Sequence, residues 1–277
     1  MPVSVAETWT VQEARSWIVR PGVADDKYSR GVLGFTTGSQ TYPGAAVIGI
    51  DAALHAGVGM CRYEGPESVT RLVIARRPEA VPGPGRVQAR VIGSGIAVDD
   101  AQAVPRLRAA MEDRVPLVVD AGALPMLATE ALSAGPRILT PHAAELAGLL
   151  GVAREVVLAD PAGSAGAAAR RWESVVLLKG FATHVTDGSR TVLVAEATPW
   201  LATAGSGDAL AGILGALLAG HEARGGTTSD DLIGLGATAA FVHGRAALLA
   251  SERNDGGPFT ILELNAAVAA VIGRLAG

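Results

Sequence analysis

Short, continuous apolar stretches of strand length alternate with longer segments of helical periodicity over the first two thirds of the chain. Their apolar residues do not recur at every second position, as they would in a sheet with one face in water. Strands that are apolar throughout are typical of a mostly parallel sheet buried on both faces. The predicted strands span residues 31–37, 60–63, 69–75, 87–92, 116–120, 137–139 and 174–178.

Predicted helices separate these strands and fill the C-terminal part of the chain. The Thr140-Pro141 pair predicts a helix start, because proline suits the first turn of a helix. Asp187-Gly188 lies between residues 183–186 and 191–195 and predicts a β-hairpin. We therefore expect an α/β fold with helices on both faces of the sheet. The predicted helices span residues 45–59, 99–112, 124–132, 140–150, 207–219, 229–251 and 260–275.

The N-terminal residues 1–27 form a short amphipathic lead-in that ends at a Pro21-Gly22 break. The rest of the sequence contains no linker long enough to divide it. Residues 1–277 are therefore predicted to form a single domain. The apolar side of the lead-in is Trp9, Ala14, Trp17 and Ile18.

Composition excludes several classes of function. The net charge is −4 and the basic residues are scattered, which argues against nucleic-acid binding. The single cysteine, Cys61, excludes an intrachain disulfide and fits a reducing, cytoplasmic compartment. The early charges Glu7 and Glu13 interrupt any signal-peptide core. Asp208 and the glycines before it break the long weakly charged run at 197–220, so we expect a buried helix there and no membrane span.

The rest of the chain is organised around the corner Gly205-Ser206-Gly207-Asp208, where a small-residue loop enters an apolar helix. The first N–H groups of a helix lack intrahelical partners and carry partial positive charge, so they bind phosphate well. A carboxylate beside that phosphate can accept a proton from an attacking hydroxyl. An aspartate in a first helical turn is also commonly only a favourable charge at the dipole, and both interpretations stay open.

Other unusual stretches follow the predicted strands at their carboxyl ends, where ligands bind in open α/β sheets. Each also has a plain structural interpretation: a tight turn at Pro43-Gly44, a strand exit at Gly93-Ser94-Gly95, a helix cap at Asp120, a helix-start residue at His142, or a solvent-reaching ammonium at Lys179. Their convergence on one edge favours a site. The stretches are 38–44, 93–95, 120–124, 140–145 and 179–183.

Six motifs in this order resemble the ADP/ATP-dependent NAD(P)H-hydrate dehydratases, a branch of the ribokinase-like superfamily. The resemblance spans about residues 28–275 and implies a three-layer ribokinase-like fold. His142 and Asp208 favour this branch, since related vitamin kinases typically show Thr-Pro-Asn, and some carry cysteine at the position of Asp208. The motifs are Tyr42-Pro-Gly-Ala-Ala46, Gly93-Ser-Gly95, Val118-Val-Asp-Ala-Gly-Ala-Leu124, Thr140-Pro-His-Ala-Ala-Glu145, Val176-Leu-Leu-Lys-Gly-Phe-Ala-Thr183 and Gly205-Ser-Gly-Asp-Ala-Leu-Ala-Gly212.

The resemblance implies nucleotide-dependent dehydration of the S epimer of NAD(P)H hydrate, with ADP or ATP as co-substrate and Mg²⁺ bound through the nucleotide. It implies Asp208 as the catalytic base and as a substrate contact, together with Ala45, Gly95 and His142. The family is often tetrameric, so a homo-oligomer is expected. The implied nucleotide-binding residues are Lys179, Gly180, Phe181, Ala182, Thr183, Gly205, Ser206 and Gly207.

Departures and alternatives accompany this interpretation. Ala197-Thr-Pro-Trp200 replaces an Asn-containing loop, and Gly34-Phe-Thr-Thr-Gly38 replaces a Gly-Gly-Ser turn, so details of the ligand contacts differ from the family pattern. About 27 residues precede the resemblance, which predicts a dehydratase without a fused epimerase domain. A vitamin-precursor kinase of the same superfamily and a non-catalytic nucleotide-binding protein are the alternative functions.

Overall fold

A computed structural model of the chain describes residues 6–128 and 135–277. Within these residues, ten strands form one mixed, mostly parallel sheet with helices on both faces, which confirms the predicted fold class. The strands are β1 (Glu7–Thr8), β2 (Val32–Thr36), β3 (Met60–Tyr63), β4 (Val81–Pro82), β5 (Ala89–Ile92), β6 (Leu117–Val119), β7 (Arg137–Leu139), β8 (Val175–Leu178), β9 (Thr183–Thr186) and β10 (Thr191–Val194).

Ten α-helices and two short 3₁₀ segments complete the described parts of the chain. The 3₁₀ segments are Ala121–Ala128 and Pro199–Leu201. The helices are α1 (Val11–Ser16), α2 (Gly44–His55), α3 (Glu67–Arg76), α4 (Val104–Glu112), α5 (Ala143–Leu150), α6 (Arg154–Ala159), α7 (Pro161–Trp172), α8 (Ser206–Glu222), α9 (Ser229–Glu252) and α10 (Ile261–Ala276).

The strand order is β1-β10-β9-β8-β7-β6-β5-β2-β3-β4. In the described ranges only β9 runs against its neighbours, so β8, β7, β6, β5 and β2 end at the same edge. The β9–β10 pair is the predicted hairpin. Part of the lead-in also joins the sheet, because β1 pairs with β10.

Alternate residues of one strand enter two different hydrophobic cores. Val175 and Leu177 of β8 pack in the core with α2, α8, α9 and α10, whereas Val176 and Leu178 pack in the core with α4, α5 and α7. Both faces of the sheet are apolar because helices cover both of them. This burial explains why the strands lack polar alternation.

One predicted strand is wrong. Residues 69–75 lie in α3. Val69 and Val73 are its buried residues, and their separation of four places them on one helical face. A short apolar run does not distinguish a strand from a helix that buries one stripe. Pro66 directly precedes the first helical residue, Glu67.

Other boundaries also differ. α5 begins at Ala143 with His142 as its N-cap, so the start predicted at Thr140 is three residues early. The predicted helix 124–132 is a 3₁₀ segment as far as Ala128, and residues 129–132 of that prediction lie outside the described residues. The helices α6 and α7 were not predicted.

The position of α8 depends on a close helix contact. A side chain at Gly212 would collide with the backbone of Gly49 in α2, so glycine lets the two helices touch. The neighbouring helix α9 is the one described helix that is long and apolar enough to cross a membrane by length and composition, and 83% of that stretch is buried inside the protein. Core helices of soluble proteins have the same properties.

Candidate active site

The candidate site lies along the carboxyl edge of β2, β5, β6, β7 and β8. Because these strands are parallel neighbours, the loops that follow them meet there. Gly95 lies against Ala45: a side chain at Gly95 would collide with Ala45 and with the Tyr42 carbonyl, and its φ is +65°. The structure therefore brings these two predicted substrate residues together.

A buried ion pair lies in the middle of this edge. Lys179 Nζ donates to Asp120 Oδ1 at 2.8 Å. Thr140 Oγ1 donates to the same oxygen at 2.8 Å, and Ser94 Oγ donates to Asp120 Oδ2 at 2.8 Å. Asp120 is only 2% exposed, so these three donors replace its hydration.

The ammonium of Lys179 is stabilised in this position. Burial lowers the pKa of Lys179, but the negative charges of Asp120 and Glu145 and the hydrogen bond to Asp120 outweigh burial, so the net pKa is raised. Glu145 Oε2 lies 3.8 Å from Nζ. Lys179 is therefore a fixed positive charge at the edge of the sheet.

The N-terminus of α8 reaches this lysine. Gly205 has a φ of +90°, and a side chain there would press on Ile48. A β-carbon at Gly207 would lie 3.4 Å from Lys179 Nζ. In the described part of the chain, the backbone N–H groups of Gly207 and Asp208 donate to no protein atom. This corner thus presents free N–H groups beside an ammonium, which is an anion-binding arrangement.

Asp208 is partly buried in the first turn of α8. Burial, reinforced by the charge of Asp120 and opposed by that of Lys179, raises its pKa from 3.8 to about 6. Among the described residues its carboxylate makes no hydrogen bond, and no ion pair within 4 Å joins it to Lys179. A carboxylate of this kind is a candidate general base near neutral pH.

His142 has a capping role. Its Nδ1 accepts the backbone N–H groups of Ala144 and Glu145 at 3.1 Å, and Glu145 Oε2 accepts the His142 N–H at 2.7 Å. Lys179 pairs with His142 through an isolated parallel bridge, which continues the β7–β8 pairing. The imidazole is therefore held next to Lys179 and remains half exposed.

A cavity of about 750 Å³ opens beside these groups. Its wall includes the predicted His142, Lys179, Gly180, Phe181, Thr183, Ser206 and Gly207. Asp208 and Gly205 are not part of this wall, and neither are Ala182, Ala45 and Gly95. The wall residues that the sequence did not predict are Glu196, Ala197, Thr198, Pro199, Leu201, Ala202, Thr203, Ala204, Leu210, Ala240 and His243.

His243 of α9 is the most polar of the buried residues that were missed. Its Nε2 lies 3.4 Å from Ser206 Oγ. Burial lowers the pKa of His243 to about 4, against a hydrogen bond with Ser206 that raises it, so the ring is neutral at pH 7. No local pattern in the sequence marks His243; the structure shows that Gly244, which follows it, must be small because a side chain there would collide with the Glu196 carbonyl at the cavity wall.

The described residues contain no group of three or more His, Cys, Asp and Glu side chains placed to hold a metal ion. Both oxygens of Asp120 are engaged by protein donors. These residues are compatible with Mg²⁺ bound largely by nucleotide phosphates and water, because Mg²⁺ does not require a dedicated protein cage.

Comparisons with known proteins agree on one family. A family model described as NAD(P)H-hydrate dehydratase matches residues 33–266. The bifunctional NAD(P)H-hydrate repair enzyme Nnr of Mycobacterium leprae is 42% identical over 260 residues, which cover 88% of this chain and 50% of that protein. The chain thus spans about half the length of the bifunctional relatives. The ADP-dependent (S)-NAD(P)H-hydrate dehydratase of Xanthomonas campestris is 34% identical, with 92% of each chain covered.

Solved structures agree on the fold. The ADP/ATP-dependent NAD(P)H-hydrate dehydratase of Bacillus subtilis, co-crystallised with ATP/Mg²⁺, has a TM-score of 0.87 and 24% identity, and the match covers 99% of this chain and 100% of that one. A ribokinase-like superfamily protein of Enterococcus faecalis has a TM-score of 0.83 at 20% identity, with coverage of 100% and 98%. The fold is therefore ribokinase-like.

Proposed function

The chain belongs to the NAD(P)H-hydrate dehydratase family, and we propose from this premise that it dehydrates the S epimer of NAD(P)H hydrate to NAD(P)H. In the same turnover ADP becomes AMP, or ATP becomes ADP, and phosphate is released. The enzyme would be a carbon–oxygen lyase that repairs a damaged cofactor. The observation that carries the proposal is the unpaired carboxylate of Asp208 at a helix N-terminus beside the fixed ammonium of Lys179.

The chemistry explains why a kinase-like fold suits a dehydratase. Hydroxide is a poor leaving group, so the hydroxyl at C6 of the hydrated ring leaves slowly by itself. The hydroxyl oxygen attacks the terminal phosphorus of the nucleotide, the bond to the bridging oxygen breaks, and Asp208 accepts the hydroxyl proton. The lone pair of the ring nitrogen then expels phosphate from C6. Loss of a proton from the adjacent ring carbon restores the dihydronicotinamide.

Protein groups at the candidate site match the charges in this transfer. The free N–H groups of Gly207 and Asp208 and the Lys179 ammonium stabilise the negative charge on the transferred phosphoryl group. Mg²⁺, when bound with the nucleotide, neutralises phosphate charge. The exposed ring of Phe181, together with the cavity wall, offers an apolar surface for the adenine ring.

The substrate half of the site is assigned to the residues that the family resemblance implies. Ala45 and Gly95 pack against each other, and glycine at position 95 lets the two loops approach closely, because a side chain there would collide with Ala45. His142 uses Nδ1 to cap α5, which leaves Nε2, 3.6 Å from Glu145 Oε1, as the ring nitrogen that can contact a ligand. We assign that nitrogen to the hydrated ring or its carboxamide.

Location and assembly complete the proposal. The single buried cysteine, Cys61, fits a cytoplasmic enzyme. We propose that the chain is a single domain and forms a homo-oligomer, a tetramer by family resemblance. Light scattering measures this directly, and a mass of one chain would contradict it.

The reaction is tested by mixing acid-prepared NAD(P)H hydrate with Mg²⁺ and ADP or ATP. The proposal requires that the absorbance of the reduced nicotinamide return and that free phosphate appear in equal amount. Accumulation of a stable phosphate ester would instead identify a small-molecule kinase, and no nucleotide turnover would indicate a binding protein. Asp208→Asn should lose most of this activity, whereas Asp230→Asn, the same chemical change on an exposed residue of α9, is the matched control and should retain full activity.

A further inference from the structure

The ammonium of Lys179 interacts electrostatically with two aspartates at the candidate site, Asp120 and Asp208. Lys179 Nζ is 2.8 Å from Asp120 Oδ1. The ammonium also lies close to the first turn of α8, since a β-carbon on Gly207 would be 3.4 Å from it. In the described residues it nonetheless forms no ion pair within 4 Å with Asp208. The lysine is thus paired with the carboxylate that the proposed chemistry does not use.

Asp120 is held rigidly in this pairing. Thr140 and Ser94 each donate a hydroxyl hydrogen bond of 2.8 Å to it, one to each carboxylate oxygen. The side chain is 2% exposed, so water cannot substitute for these donors. A buried carboxylate held by three hydrogen-bond donors keeps its orientation.

We propose that Asp120 is a positioning residue that holds the Lys179 ammonium away from Asp208, so that the Asp208 carboxylate stays unpaired and able to accept a proton. The inference rests on the proposed role of Asp208 as the base. In this role Asp120 acts through Lys179, to which it is hydrogen-bonded, and not on the reacting groups themselves.

The electrostatics of the neighbouring elements support this role. The charge of Asp120 at the end of β6 raises the pKa of Asp208, after the larger effect of burial, and Lys179 at the end of β8 lowers it. Glu145 of α5 faces Lys179 as a second acceptor at 3.8 Å, and His243 of α9 is neutral near pH 7. An ammonium released from Asp120 would move the pKa of Asp208 down and weaken it as a base.

A double-mutant cycle tests the inference without requiring turnover. The protonation midpoint of Asp208 is measured by carbon-13 NMR on aspartate-labelled protein, and Asp208→Asn identifies the signal. Lys179→Met is made in the parent chain and in Asp120→Asn. If Asp120 withholds the lysine, deleting Lys179 raises the midpoint by about one unit more in the Asp120→Asn chain than in the parent.

Equal shifts in the two backgrounds would overturn the inference, because they would mean that Asp120 does not control where the ammonium lies. Asp120→Ala repeats the cycle if the asparagine variant is insoluble, and Asp230→Asn is the control that leaves the midpoint unchanged. A purely structural role would lower stability without this non-additivity.

Activity gives a second readout. With Asp120→Asn, the acid limb of the kcat profile moves to lower pH together with the NMR midpoint, whereas an unmoved limb contradicts the inference. A chain that shows the NMR coupling but never restores NAD(P)H would disprove the proposed function and leave the positioning role intact. The two failures are therefore distinguishable.

Discussion

Two fully buried aspartates in this protein have very different surroundings. Asp51 of α2 receives Arg77 Nε at 2.8 Å, Arg76 Nε at 3.2 Å and the Asn265 amide at 2.9 Å. Asp120 receives one lysine and two hydroxyls. The first carboxylate ties α2 to α3 and α10. The second lies at the carboxyl edge of the sheet, with the unpaired carboxylate of Asp208 nearby.

The difference separates a stabilising cluster from a functional one. Around Asp51, cations outnumber the carboxylate, so its charge is well compensated. Around Lys179 the carboxylates outnumber the cation, and the pKa of Asp208 is raised to about 6 by burial and by Asp120. Like charges held together cost stability, and such arrangements occur at sites where a reactive group must be kept ready.

The comparison is tested most strongly by Asp208→Asn. The asparagine cannot accept the hydroxyl proton, so kcat should fall on the order of 10²–10⁴-fold. Nucleotide affinity should change little, because Lys179 and the free N–H groups of α8 remain. Single-turnover kinetics measure the first quantity and calorimetric titration with nucleotide measures the second. Lost nucleotide binding with unchanged single-turnover chemistry would contradict the assigned role.

Asp51→Ala should produce the opposite result. Removing the buried carboxylate leaves Arg77 with only the half-exposed Glu79, 3.7 Å away, as a partner carboxylate. We expect a loss of about 2–3 kcal/mol in the free energy of unfolding, measured in urea. The expected loss is smaller than the loss of about 3–5 kcal/mol that is typical of breaking a buried ion pair, because Arg76 and Arg77 reach solvent.

The kcat of the molecules that remain folded should not change, since Asp51 belongs to no part of the site. A proportional fall in kcat after correction for the folded fraction would break the comparison. Arg71→Gln, which removes a wholly exposed ion pair with Glu67 on α3, is the control and should cost almost nothing.

The sequence predicted the sheet and its C-terminal helices because their apolar patterns are long and locally unambiguous. It failed at residues 69–75, where a short apolar run resembles a strand although its buried residues, Val69 and Val73, lie on one face of α3. It also missed β1, since a two-residue strand such as Glu7–Thr8 has no periodicity and exists only through pairing with β10.

The site was predicted in part for similar reasons. Residues in the ordered motifs, such as Lys179 and His142, do lie together at one edge. The Asp120–Lys179 pair joins residues 59 positions apart, and His243 reaches Ser206 from another helix, so no local pattern reveals either contact. The alternative interpretation of His142 as a helix-start residue is confirmed, since it is the N-cap of α5, whereas the Thr140-Pro141 pair placed the helix start too early.

The smallest expected effect is that of Asp208→Asn on stability. Its sign is opposite to that of Asp51→Ala, because it should stabilise the folded chain. The pKa of Asp208 rises from 3.8 to about 6, so below about pH 4 the carboxyl is protonated in both states and costs nothing. Between about pH 4 and pH 6 the folded chain binds more protons than the unfolded chain, and the stability of the parent protein falls as the pH rises.

Asp208→Asn removes this penalty, and we expect it to stabilise the folded chain by about 1–2 kcal/mol at pH 7.5, less than the full shift implies because the group is partly exposed. The gain should shrink progressively toward pH 4.5. Urea unfolding of the two proteins at both pH values measures it. A difference in unfolding free energy that stays constant between these pH values would show that Asp208 is not held in an unfavourable charged state. Asp51 and Asp208 would then differ only in the residues that contact them.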